Sequence, residues 1–194
     1  HRCGNFFVSS NNQFGFKKAT GCTHAIHLMR CIVDQYVQEG STVNVCALDI
    51  SKAFDRVNHF CLFTKLMNRG IPLNLLIIFE MWFDNCHSCV KWFSAFSMFF
   101  KLQCGVRQGG VLSPQFFAVY IDDLIRTIVS SKIGCHLRHV CINIIVYADD
   151  IVLLAPSVSA LQALLKICES EINDINLQLN CKKSMCIRIG RRFS

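Results

Sequence analysis

Long apolar runs are missing from this chain. Stretches such as Leu75 to Phe79 and Ile144 to Val146 stop far short of the ~20 residues that a membrane-spanning helix needs, which speaks against a membrane partner. Proline is scarce, with three in 194 residues, and each sits where an element is expected to start. No linker rich in Pro, Gly or Ser and no internal repeat is visible, so disordered, low-complexity and tandem-array classes are excluded. No secretory leader is present, and the chain opens on His1 rather than Met, as expected of a segment excised from a longer protein. Acids are outnumbered, with 13 Asp and Glu against 20 Lys and Arg for a net charge of +7. Lys17, Lys18, Arg107, Arg138, Lys182, Lys183, Arg188, Arg191 and Arg192 spread that charge along the chain. Such a balance favours an anionic partner, nucleic acid first.

Apolar residues are abundant, at 52%, enough for one core or two closely packed lobes. The thirteen cysteines, among them Cys46, Cys104, Cys141 and Cys168, are scattered through apolar segments. They read as reduced, buried thiols of an intracellular protein, nuclear or cytoplasmic, rather than as a disulfide scaffold. Cys86-His87-Ser88-Cys89 has metal-ligand spacing but lacks the nearby second pair of a structural zinc site.

Ile26, Met29, Val33, Tyr36 and Val37 recur at helical spacing up to Gly40, and Val43 to Asp49 reads as a buried strand ending in an acid. Further helices are expected over His59 to Met67, closed by Gly70, and after Pro72. Two strands are expected at Val90 to Phe93 and Met98 to Leu102. Ser113 and Pro114 should form the N-cap and first residue of a helix presenting Phe117, Tyr120, Leu124 and Ile128. Ser159 and Gln162 suggest a capping box for a helix carrying Leu161, Leu164, Leu165, Cys168, Ile172 and Ile175. Cys141 to Ala155 reads as an antiparallel hairpin. The sum is an α+β fold, a sheet with helices on one face.

Tyr-x-Asp-Asp occurs twice, at Tyr120 to Asp123 and at Tyr147 to Asp150. The first copy lies inside an amphipathic helix, where two acids are expected on the solvated face. The second lies between two β-branched runs, at a hairpin turn, and adjacent like charges there repel unless a cation neutralises them. Asp49 ends another buried strand. If the two strands are neighbours, Asp49 and Asp149 meet at one end of the sheet, an arrangement suited to Mg²⁺ held by carboxylates and substrate phosphates.

Ala47 to Asp55 (ALDISKAFD) resembles motif A of reverse transcriptases, Arg107 to Pro114 (RQGGVLSP) motif B, and Tyr147-Ala148-Asp149-Asp150 motif C. Gln13-Phe14-Gly15-Phe16-Lys17 is similar to the fingers motif of LINE-type, non-LTR retrotransposon enzymes, and Asn180 to Ser184 (NCKKS) to motif D. The five stand in the family's order over nearly the whole chain. The resemblance implies the fingers and palm of a right-hand polymerase, with an antiparallel palm sheet packed on helices and the thumb missing. Fingers would occupy mainly 1–42 and 71–106, and palm mainly 43–70 and 107–194.

It further implies two Mg²⁺ ions, or Mn²⁺, on Asp49, Asp149, Asp150 and the Ile50 carbonyl, with Lys183 as proton donor to the leaving pyrophosphate. Lys17, Phe54, Gln108 and Gly109 would contact the nucleotide, Phe54 as a steric gate against the ribose 2′-hydroxyl or as core packing. Arg107, Gly110, Ser113, Pro114 and Tyr147 would contact template or primer, although Arg107 also reads as surface charge. Asp55 would serve structure, tied to Arg56 or His59. The implied partners are an RNA template, a DNA primer and dNTPs, with the endonuclease and thumb of a parent polyprotein. Two other readings stay open: a catalytically silent relic that at most binds nucleic acid, and a zinc-stabilised interaction module around Cys86 and Cys89.

Overall fold

The computed structural model describes residues 4–191, so Arg192 lies outside the described residues. The elements run α1 (Cys22–Gln38), β1 (Thr42–Asp49), α2 (His59–Asn68), α3 (Leu73–Asp84), β2 (His87–Ser88), β3 (Lys91–Trp92), β4 (Ala95–Phe96), β5 (Phe100–Lys101), α4 (Ser113–Ser130), β6 (Cys135–Leu137), β7 (Val140–Ile142), β8 (Ile144–Tyr147), β9 (Asp150–Ala155), α5 (Val158–Asp174) and β10 (Met185–Gly190). A four-stranded antiparallel sheet of order β10-β1-β9-β8 is the centre of the fold. No helix among the described residues is long and apolar enough to cross a membrane.

Strand alternation divides the sheet's side chains between two cores. Cys46, Leu48, Ile50, Ile151, Leu153 and Ala155 join the larger core under α4 and α5. Val43, Val45, Ile145 and Leu154 face the other way, against Ala25 and Ile32 of α1. Helices on one face were expected, and the structure instead covers both. The face of α1 that packs there centres on Ala25 and Ile32, with Met29, Val33 and Tyr36 partly buried, while Ile26 and Val37 of the expected stripe turn to solvent.

Several boundaries differ from the sequence expectation, each for a local reason. Leu112, not Ser113, precedes the first turn of α4, because the Ser113 side chain is buried close beneath Gly110. Ser157, not Ser159, caps α5, its Oγ accepting the Ala160 N–H at 3.2 Å. The expected strands at 90–93 and 98–102 are four two-residue strands, β2 pairing with β5 and β3 with β4. Only Ile144 to Ala155 form the motif C hairpin; Cys141 pairs with His136 in a separate ribbon of β6 and β7.

The largest departure concerns the first Tyr-x-Asp-Asp. Asp122 was expected on a solvated face, yet it is fully buried. Its Oδ1 accepts the Ser10 N–H at 2.6 Å and its Oδ2 accepts from Arg69 Nη2 at 2.6 Å, while the Arg126 guanidinium forms an ion pair with Oδ2, Nε lying 2.8 Å away. Arg69 also donates to the Val8 carbonyl at 2.6 Å. A buried carboxylate is tolerable here because each oxygen accepts a hydrogen bond and two guanidinium groups compensate its charge. Tyr120 is buried too, its hydroxyl donating to the Ile175 carbonyl and accepting the Asn58 N–H. Asp123 alone keeps the expected surface place, paired with Lys65.

Asp122→Ala, which strands Arg69 with its charge uncompensated, is expected to cost about 3–5 kcal/mol. Asp123→Ala, which loses one exposed ion pair, should cost about 1 kcal/mol or less. Urea unfolding of the two variants checks this, and equal costs would contradict the buried assignment.

Candidate active site

The site begins with strand register. β1 and β9 pair so that Leu48 lies opposite Ile151 and Asp49 opposite Asp150. A slip of one residue would turn the buried apolar set of β9 toward the wrong face, so the cores themselves fix where the acids fall. β8 and β9 join through a two-residue turn, Ala148-Asp149, with Tyr147 opposite Asp150. Ala148 takes φ +59°, a left-handed conformation that such hairpin turns require and that alanine adopts only under constraint.

The constraint is Gln13. This side chain is fully buried, and its Oε1 accepts both the Ala148 N–H at 3.2 Å and the Gly15 N–H at 2.9 Å, while its Nε2 faces the Ala148 carbonyl at 3.4 Å. Alongside, the Phe14 N–H donates to the Val146 carbonyl and the Val146 N–H to the Asn12 carbonyl, each at 2.8 Å. A Cβ on Gly15 would stand 2.6 Å from the Ala148 nitrogen, so only glycine permits this approach. Gln13 stands in the fingers motif with no local signal of this role, because its partner lies 135 residues away.

Asp49 is fastened by the turn before β10. Its carbonyl accepts the Asn180 N–H at 2.8 Å and its N–H donates to Ser184 Oγ at 3.2 Å. The same turn carries Lys183 to the rim of two clefts. The first, of about 470 Å³, is lined by Asp49, Ile50, Phe54, Gln108, Asp149 and Lys183. The second, also about 470 Å³, shares Asp49 and Lys183 and adds Tyr147 and Asp150 against α1. Asp49 and Asp149 thus share a cleft as expected, although the ladder partner of Asp49 is Asp150. Burial raises the Asp150 carboxyl above the usual carboxylate range, and the charges of Asp149 and Asp49 push it further the same way.

Three repelling carboxylates at one sheet end are what a divalent cation would relieve. Among the described residues no three His, Cys, Asp or Glu side chains form a ready metal cluster. The remaining donors would have to be a backbone carbonyl, water or substrate oxygens. All are hard oxygen ligands, so the residues present fit a Mg²⁺-type ion.

The other expected residues divide. Phe54 stacks on Phe117, with ring centroids 4.7 Å apart, and also borders the acid cleft, so it both packs and faces the site. Gln108 reaches Asp55 Oδ1 at 3.4 Å, which ties Asp55 to the motif B loop rather than to Arg56 or His59. His59 instead bonds the Gly105 carbonyl at 2.8 Å. Gly109 has φ +81°, and a Cβ on Gly110 would lie 2.6 Å from Ser113 Oγ. Ser113 is buried, so its place is in loop packing. Arg107 is exposed in a neighbouring cleft with Gln108. Pro114 sits in the first turn of α4.

Lys17 is not brought to the acids. Its ammonium donates to the Ser10 carbonyl at 2.6 Å and lines a separate cleft with Phe16 and Gln115. Burial lowers its pKa from the usual lysine value, opposed by the Asp122 charge. Two cations outside the expected site residues, Lys52 and Arg56, line the cleft of Asp49 and Asp149. Their position three and seven residues after Asp49 was the available signal.

The reverse transcriptase (RNA-dependent DNA polymerase) family model matches residues 5–190. The chain belongs to this family. The Pol polyprotein of the retrotransposable element R2DM from Drosophila melanogaster is 28% identical over 92% of the chain and 17% of its own length. The RNA-directed DNA polymerase of the mobile element jockey from Drosophila funebris is 28% identical over 78% of the chain and 16% of its own length. The LINE-type resemblance is borne out by these relatives, of which the chain spans less than a fifth. Telomerase from Candida albicans superposes with a TM-score of 0.69 at 13% identity, over 86% of this chain and 30% of that one. That likeness gives the fold, a right-hand polymerase with an antiparallel sheet.

Gln13→Leu removes the acceptor of two N–H groups at the motif C turn. We expect a loss of about 2–4 kcal/mol in unfolding free energy, together with faster hydrogen exchange at the Ala148 amide. Unchanged exchange there would mean that the amide does not hold the turn.

Proposed function

We propose that this chain holds the catalytic centre of an RNA-directed DNA polymerase, adding dNTPs to a DNA primer 3′-end on an RNA template. The observation that carries the proposal is the β1–β9 register, which gathers Asp49, Asp149 and Asp150 beside Phe54 and Gln108. Asp49 and Asp149, with the Ile50 carbonyl and Asp150 as accessory acid, would hold two Mg²⁺ or Mn²⁺ ions. When bound, these supply Lewis-acid activation of the 3′-hydroxyl and charge neutralisation on the triphosphate.

The chain's own groups account for the rest. Lys52 and Arg56 offer cationic contacts to the triphosphate, a role for which Lys17 is less well situated. Lys183, which lines the same cleft, would donate a proton to departing pyrophosphate. Gly109 and Gly110 let the backbone approach the nucleotide closely, and the Phe54 ring opposes a 2′-hydroxyl. Tyr147, on the open face beside Asp150, is a primer-side contact. On this reading the palm lies mainly within 43–70 and 107–194 and the fingers mainly within 1–42 and 71–106. Thumb and endonuclease functions belong to other parts of a longer protein.

Primer extension on an RNA template with Mg²⁺, using the chain joined to a thumb region, tests the reading. Asp149→Asn is expected to abolish product while leaving nucleic-acid binding in place. Absence of any Asp149-dependent product would reduce the chain to a silent relic. Phe54→Ala should raise ribonucleotide incorporation relative to dNTP by about tenfold or more. That ratio is internal to one preparation, so lost packing on Phe117 affects both terms alike.

A further inference from the structure

The segment between α3 and the motif B loop has no part in the chemistry above, and its surface is unusual. β2 to β5 fold as one interrupted hairpin, with His87 opposite Lys101 at the base and Trp92 opposite Ala95 at the tip. Trp92 is 73% exposed, Phe93 86%, Met98 88% and Phe99 75%, with Phe96 and Phe100 also open. So many large apolar side chains on one small element are not ordinary surface. Phe93 moreover holds φ +50° in the tip turn, where a bulky side chain is strained and Gly or Asn is usual. The strain projects the ring outward beside Trp92, at 5.5 Å between centroids.

Charge says what kind of partner fits. No aspartate or glutamate occurs between Asp84 and Asp122, while His87, Lys91, Lys101 and Arg107 fall within that span. Lys91 lies over the Phe96 ring, 5.4 Å from its centroid, and Lys101 pairs with Asp84 at the hairpin base. Exposed rings interleaved with cations, with acids only at the hairpin base (Asp84) and in the adjoining groove (Asp55), suit a single strand, whose bases stack on rings and whose phosphates meet the cations. An apolar protein partner would gain nothing from the exclusion of acids.

The hairpin is also connected to the catalytic cleft. Phe100, Lys101 and Ser88 line a groove of about 670 Å³ with Arg107, Gln108 and Asp55. Gln108 borders the cleft of Asp49 and Asp149 as well, so groove and cleft adjoin at this side chain. We infer that the 87–101 hairpin is a stacking platform for the single-stranded RNA template ahead of the base being copied, led along the groove past Arg107 to the acids. The identity of that strand rests on the polymerase reading; the stacking itself does not.

Two measurements on the chain test it. In a Trp82→Phe background, Trp92 is the sole tryptophan, and a single-stranded RNA oligonucleotide should quench its fluorescence while a blunt RNA duplex does not. The variant Trp92→Ala/Phe93→Ala/Phe99→Ala should bind that oligonucleotide at least roughly tenfold more weakly by fluorescence anisotropy. Its melting temperature should be unchanged, because the three rings are solvent-exposed. Unaltered affinity with no quenching would overturn the inference. So would loss of concentration-dependent self-association in the variant with RNA binding intact, which would assign the face to protein contacts. Asp149→Asn, inactive on the polymerase reading, should bind the oligonucleotide like the parent chain. Failure of primer extension is thereby separated from failure of the platform.

Discussion

The pairing of β1 with β9 is the constraint on which the rest depends. It forces Asp49 and Asp150 into direct cross-strand opposition, with Asp149 in the adjoining turn. Like charges directly opposite are unfavourable in an antiparallel ladder. The sheet accepts them because the same register buries Leu48, Ile151, Leu153 and Ala155 in the larger core and Val45 and Leu154 in the smaller. Each well-buried aliphatic side chain contributes on the order of 1.5–3 kcal/mol, far more than a partly screened repulsion between solvent-facing carboxylates. Packing thus holds together what electrostatics would separate.

The two Tyr-x-Asp-Asp copies turn out to be mechanically linked. Asp122 grips the Ser10 N–H, and three residues later Gln13 grips the Ala148 peptide. The segment from Ser10 to Gly15 is fastened at one end to α4 and at the other to the motif C turn. Arg69, which completes the Asp122 network, also draws in the Val8 carbonyl from α2's C-terminal end. The helical copy of the motif therefore has a structural role in placing the strap that keeps Ala148 in its left-handed turn.

Much of this was legible in the residues, though not in α1, where the buried residues are Ala25 and Ile32 and the expected Ile26 and Val37 are exposed. The helix stripe of α5, the acid at the end of β1 and the hairpin carrying Asp149 follow from periodicity and turn chemistry. Their neighbourhood does not, because strand adjacency is a long-range property that short-range pattern cannot encode. Asp122 illustrates the limit: an acid on an amphipathic helix reads as solvated unless its cationic partners are known, and Arg69 is 53 residues away. Gln13 illustrates it again, since a lone amide has no pattern to announce that it will satisfy buried backbone groups. Lys17 shows the limit from the other side. A motif position suggested a phosphate contact, and the fold gave its ammonium to a backbone carbonyl.

Charge distribution around Asp49 divides the site into two unequal halves. The cleft containing Asp149 is also lined by Lys52, Arg56 and Lys183, so its cations outnumber its carboxylates. The cleft containing Asp150 and Tyr147 has Lys183 alone against two carboxylates, with an otherwise apolar lining from α1 and the sheet. A multiply charged phosphate group is favoured in the first half and disfavoured in the second. A neutral hydroxyl at the end of a strand suffers no such penalty in the second, where apolar walls suit the sugar and base that carry it. On the polymerase reading, triphosphate and primer terminus are thereby sorted to opposite sides of Asp49. That carboxylate, fixed through its own N–H and carbonyl by the Asn180 to Ser184 turn, is the one acid both halves share. On that same reading, Asp49 is the point across which the new bond would form.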